Sequence, residues 1–127
     1  ISDVVAFCHY VAQTFQLRRI NVHTASYSLA ISMINPALEQ RALAFGNLTA
    51  AYRATHATLG TLDQLERFLE TVSESRKGES LREELDYTST TSYQTIFSPS
   101  FALPAQKQSI GLGDTYMAAT LAILTPI

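Results

Sequence analysis

The chain has 127 residues, which suits one domain, and a chain of this size buries roughly two-thirds of its unfolded surface. It is 46% hydrophobic and 16% charged with a formal net charge of −2, the composition of a globular protein. Its adjacent basic residues are two isolated pairs, Arg18-Arg19 and Arg76-Lys77, which argues against the basic patch of a nucleic-acid binder, and no apolar run reaches the roughly 18 residues of a membrane span.

The first segment, SDVVAFCHYVAQTFQL, predicts a helix over 2–16 with Val4, Cys8, Val11 and Phe15 on one face. Ser2 is the expected N-cap, and Asp3 suits the positive end of the helix dipole. Cys8 is the sole cysteine, so an internal disulfide is excluded, a reducing compartment fits, and a core thiol is the expected role. His9 is expected on the solvent side. In RRINVHTASYSLAIS, Ile20 and Val22 alternate with Asn21 and His23, as in a strand leaving the helix. That step from helix to strand is the grammar of an α/β fold. His23, at the strand end, reads either as a ligand-facing group or as a hydrogen-bonded histidine near a turn.

Asn35 as cap and Pro36 at the first helical position open a helix over 36–58. Its stripe is Leu38, Ala42, Phe45, Thr49 and Tyr52, and its alanines and Gly46 make it slim enough to approach a sheet closely. Gly60 is the expected stop. A capping box, Thr61 with Gln64, then starts a helix over 62–77 that buries Leu62, Leu65, Phe68, Leu69 and Val72 and stops at Gly78. From Glu79 to Ser92 the pattern fades to one helical turn and a Ser/Thr-rich connection, with the acids of REELD solvated. YQTIF and SFALP read as short extended pieces, followed by a strand edge or turn at 106–110 and a helix over 114–124 that Pro126 limits. His56 falls near a helix end, and the three histidines have no ligand spacing with Cys8, which argues against zinc. Tyr27, Tyr87 and Tyr93 are expected to be partly buried.

The stretch QSIGLGDTYMAATLAIL carries the chemistry. A helix start leaves its first four N–H groups unpaired and holds about half a positive charge, so it stabilises an anion. Gly111 and Gly113 let the backbone approach that anion and permit φ > 0. Asp114, at the helix mouth, can accept a proton from an attacking hydroxyl while the amides hold the charge that develops. By its residues alone the tetrapeptide reads equally as a plain turn with a capping aspartate. It is not a Walker A loop, since no Lys-Ser/Thr follows.

SIGLGDTYMAATLAIL resembles the signature near the C-terminus of ribokinase-fold sugar kinases, where a Gly-x-Gly-Asp turn opens a small-residue helix. Leu112, where the ribokinase branch usually has alanine, is more like the ADP-dependent glucokinase and phosphofructokinase family. RRINVHTASYSLAIS and NPALEQRALAFGNLTAAYRAT are similar to that family's strand with a His-x-His-like element and its alanine-rich helix.

The resemblance implies an α/β fold, a ribokinase-like layered sheet with flanking helices, of which residues 1–127 form one α/β domain, the C-terminal portion. It implies Asp114 as general base, Gly111, Leu112 and Gly113 as donors to the phosphates, and a nucleotide bordered by residues 103–110. ADP with magnesium is the implied donor, glucose or fructose 6-phosphate the acceptor, and cytoplasmic carbohydrate metabolism the setting.

Members of that family are several times longer, and this chain opens on Ile1, as a processed product or a piece of a larger protein would. An N-terminal kinase segment or partner chain is therefore expected, with little activity from this chain alone. The family's Asn-x-x-Glu motif, which positions magnesium, is absent, so no metal ligand is assigned. Asn21 stands where the first histidine of the strand element is expected. Two further readings stand beside this one: a non-catalytic binding module on the same scaffold, and an ATP-dependent ribokinase relative.

Overall fold

A computed structural model describes residues 1–85, 92–103 and 110–125. The described elements, in chain order, are α1 (Ser2–Thr14), β1 (Arg19–His23), β2 (Tyr27–Ser32), α2 (Pro36–His56), α3 (Leu62–Leu69), β3 (Ser73–Glu74), α4 (Arg76–Glu84), β4 (Gln94–Pro99), β5 (Phe101–Ala102) and α5 (Leu112–Leu124). The architecture is mixed helix and sheet. A three-stranded antiparallel sheet runs β1-β2-β4, and β3 pairs antiparallel with β5. The turn expected at 106–109 lies outside the described residues.

The segment read as one strand is a hairpin. The Thr24 hydroxyl accepts from the N–H groups of Ser26 and Tyr27 and turns the chain back on itself. Register then sorts the side chains by face. Ile20 stands opposite Ile31 and Val22 opposite Leu29, and Ile20, Val22 and Ile31 pack with Cys8 and Ala12 of α1. The other face carries Arg19, Asn21, His23 and Ala30, and there Ala30 and Ile96 meet Leu43 and Ala50 of α2 and Tyr116 of α5. The sheet is thus covered by α1 on one side and by α2 and α5 on the other.

Several expectations are corrected by packing. Ser2 is already helical and Ile1 occupies the N-cap position without a side-chain bond. Phe15 is 68% exposed and Ala12 takes its place in the α1 face. His9 is half-buried instead of lying on the open side: its Nε2 bonds the Thr95 hydroxyl at 3.1 Å, and its ring meets Tyr93 edge-on. The helix expected over 62–77 ends at Leu69, because Ser73 and Glu74 pair with β5 and the ladder outweighs helix propensity. Gly78 is not a stop. It sits in the first turn of α4, where Ser75 accepts from its N–H and a Cβ would strike the Ser26 carbonyl.

Helix α2 begins as expected, with Asn35 accepting from the N–H groups of Ala37 and Leu38. It ends on Ala57 in a left-handed cap, before Gly60. Its burial is not a stripe, since Ala42, Leu43, Gly46, Asn47, Leu48, Ala50, Ala51, Tyr52 and Ala54 are all buried. The close approach that Gly46 permits is to α5 and not to the sheet. A Cβ there would stand 2.7 Å from the Tyr116 ring and closer still to the Thr120 hydroxyl.

Arg19 of β1 reaches the first turns of α2, where its Nε and Nη2 donate to the Glu39 carboxylate at 2.6–3.0 Å. Glu39 is fully buried, and the Arg19 side chain is 14% exposed. Breaking one side of such a pair strands a buried charge, whereas an apolar pair of similar volume is tolerated. Glu39→Ala should therefore cost about 3–5 kcal/mol in urea unfolding, and Arg19→Met with Glu39→Leu should recover most of it. Gly46→Ala should cost roughly 1–3 kcal/mol through overpacking against α5, in the same assay.

Candidate active site

The mouth of α5 is built on Gly111, whose φ of 79° places it in the left-handed region as N-cap. The helix begins at Leu112, two residues earlier than the sequence pattern predicts, so Gly113 and Asp114 lie inside its first turn. Gly111 alone of the two glycines uses a positive φ. Gly113 contributes space instead, because nothing stands within 4 Å of where its Cβ would be. The Thr115 N–H donates to the Gly111 carbonyl at 3.0 Å and closes the first turn. That leaves the N–H groups of Leu112, Gly113 and Asp114 without an intrahelical acceptor, beside open volume.

Asp114 is exposed and forms no capping bond. It borders a cavity of about 580 Å³ that Thr49, Arg53, Leu62 and Ala118 also line. On the other side of the helix mouth, Leu112 borders a second cavity of about 490 Å³, lined by His23, Asn47, Ala54, Ser100 and Leu103 among others. The α5 N-terminus therefore stands between two concavities, with Asp114 bordering one and Leu112 the other. Of the stretch expected to border a nucleotide, Leu103 lines this second cavity, and residues 104–109 lie outside the described residues.

What holds α5 here is Tyr116, whose side chain is completely buried. Its ring stacks on His23 at 4.0 Å with the planes 1° apart, and its hydroxyl accepts from Asn21 Nδ2 at 2.9 Å. Both residues of the Asn21-x-His23 pair thus grip α5 from the strand. Half-buried, the His23 ring is held by stacking on Tyr116, where a hydrogen bond near a turn was expected, and it also borders the second cavity. The Asn21 Oδ1 atom is buried without a hydrogen-bond partner among the described residues. Asn47 adds a polar wall to that cavity, donating to the Ser28 hydroxyl at 2.9 Å and to the Ser98 and Pro99 carbonyls.

Sequence reasoning missed Arg53. Its Nη1 donates to the Thr115 hydroxyl at 2.6 Å, and its guanidinium lies 3.7–3.9 Å from where a Gly111 Cβ would stand. Gly46, Ala50 and Arg53 share one helical face by their i, i+4, i+7 spacing, but only the packing of Gly46 against α5 shows which element that face meets. Magnesium is not matched by these residues. Among the described residues no three His, Cys, Asp or Glu side chains are placed to hold a metal, and Asp114 is the sole acid lining its cavity.

Burial lowers the His23 pKa from the ordinary 6.5, and burial lowers that of His9 as well. The unfolded chain then binds protons more readily between the lowered value and 6.5, so stability falls as pH drops through that window. Urea unfolding between pH 7 and pH 5 should show this loss, and it should be smaller in His23→Phe, which keeps the stacking ring but cannot titrate.

The model for the ADP-specific phosphofructokinase/glucokinase conserved region matches residues 1–123. Among solved structures, the chain is similar to a phosphofructokinase from Pyrococcus horikoshii OT3 with AMP, at 22% identity and a TM-score of 0.82 over 96% of this chain and 29% of that one. It is also similar to a last common ancestor of ADP-dependent phosphofructokinases from Methanosarcinales, at 22% identity and a TM-score of 0.78, covering 92% of this chain and 28% of that one. An ADP-dependent kinase in complex with fructose-6-phosphate and ADPβS matches at 21% identity and a TM-score of 0.76, covering 92% of this chain and 30% of that one. No curated protein sequence matches the chain. The chain spans about three-tenths of the length of these solved relatives. With the family model matched over residues 1–123, the chain belongs to the ADP-specific phosphofructokinase/glucokinase family.

Proposed function

We propose that the chain supplies the base and the anion hole of an ADP-dependent sugar kinase. The sheet, with α1 on one face and α2 and α5 on the other, is read as the C-terminal part of a ribokinase-like layered domain. The sugar-binding groups and the Asn-x-x-Glu motif then belong to an N-terminal kinase segment, on the same chain or on a partner. Among the described residues no cluster of acids or histidines is placed to hold a metal, and a metal that the reaction uses is read as held by that N-terminal segment.

A sugar hydroxyl oxygen attacks the β-phosphorus of ADP in line. The new O–P bond forms as the P–O bond to AMP breaks, and the Asp114 carboxylate takes the hydroxyl proton. The N–H groups from Gly111 to Asp114 hold the charge on the phosphoryl oxygens, where their fixed dipoles need no rearrangement. The acceptor is read as glucose or fructose 6-phosphate, on the strength of the family alone.

One observation carries this reading: Asp114 stands exposed on the first turn of α5, borders a cavity and is not spent as a helix cap. A binding module without chemistry would be expected to bury it as a cap or turn it from any cavity. Asp114→Asn in the active assembly should lower phosphoryl transfer from ADP by about 10²–10⁴-fold while ADP binding stays within a few-fold. Coupled-enzyme turnover and calorimetric ADP titration measure the two quantities. Unchanged turnover in Asp114→Asn would remove the catalytic role.

A further inference from the structure

We propose that Arg53 is a positioning residue for the phosphate end of the nucleotide, acting beside the Gly111 turn; the inference rests on the kinase reading above. Two observations place it there. Its Nη1 is tied to the Thr115 hydroxyl at 2.6 Å, and that hydroxyl is itself 2.9 Å from the Gly111 carbonyl. Its guanidinium also forms the nearest surroundings of Gly111, at 3.7–3.9 Å from where a Cβ would stand. Arg53 thus reaches the left-handed turn both through Thr115 and directly.

The charge is placed in an unusual way. A cation suits the C-terminal turn of α2, where Arg53 lies, but the same guanidinium abuts the positive N-terminal end of α5. Cation against helix N-terminus is repulsive. No carboxylate among the described residues forms an ion pair with Arg53, although Asp114 lines the same cavity. A phosphate lying between Arg53 and the free amides of Leu112, Gly113 and Asp114 turns that repulsion into two attractions. Arginine also carries more than one donor, so the bond to Thr115 leaves other N–H groups available to an anion. Recognition of this kind favours a diphosphate over the bare nucleoside, because the charge acts on the phosphates and not on the base.

The test compares ADP, AMP and adenosine binding by calorimetry in the full-length protein and in Arg53→Gln, Arg53→Lys and Thr115→Val. Arg53→Gln should weaken ADP by about ten- to a hundredfold, AMP less, and adenosine hardly at all. Arg53→Lys should keep most of the preference for ADP over adenosine, and Thr115→Val should lose only part of it. Equal weakening of all three ligands, or an unchanged ratio of ADP to adenosine in Arg53→Gln, would overturn the role of Arg53 and leave the kinase reading standing. Failure of the unmodified protein to bind ADP would instead overturn the kinase reading, and this inference with it.

Discussion

The geometry of the α5 mouth depends on where the Tyr116 ring can lie. Gly46 removes the one Cβ that would occupy its place, His23 supplies a flat surface 4.0 Å away, and Asn21 holds its hydroxyl. Aromatic stacking of this kind contributes about 0.5–1.5 kcal/mol beyond area burial, and it also fixes the rotation of the helix about its axis. Tyr116 lies two residues beyond Asp114, so fixing the ring fixes the direction in which the carboxylate points. The carboxylate's exposure is thereby a product of the core: a fully buried anchor is followed backwards along the helix by a free acid.

Strand β1 is the element through which the sheet controls the helices. Its apolar positions Ile20 and Val22 serve α1, and its polar positions serve the opposite layer. Arg19 ties the start of α2, Asn21 and His23 tie α5, and all three project from one face at the period of two that a strand enforces. A one-residue slip would exchange the faces and set a guanidinium, an amide and an imidazole against Cys8 and Ala12. Polar bonds here specify register more than they add stability, since each replaces bonds to water.

Much of this was legible in the sequence. The Asn35 cap, the Thr61–Gln64 capping box and the alternation from Ile20 to His23 are local signals, and each is found in the fold. The Gly-Leu-Gly-Asp turn was legible because left-handed backbone and helix starts are written in residue type. Long-range packing was not. Ser73 and Glu74 leave the helical pattern because β5 is there to pair with, and position 78 is a glycine because Ser26 and Pro99 leave no room for a Cβ in the turn that Ser75 caps. His9 reads as a polar position on an amphipathic helix until Thr95 is placed against it. Arg53 was hidden for the same reason: its partner Thr115 is 62 positions away, and only the packing of α2 on α5 brings them together.

The most direct measurement is amide hydrogen exchange of the protein with and without saturating ADP, resolved to single residues across 108–118. If the α5 mouth is the anion hole, exchange should slow at Leu112, Gly113 and Asp114, with a smaller effect at His23 and none on the outer face of α1. Slowing confined to other segments, with the amides from 112 to 114 unchanged, would contradict it.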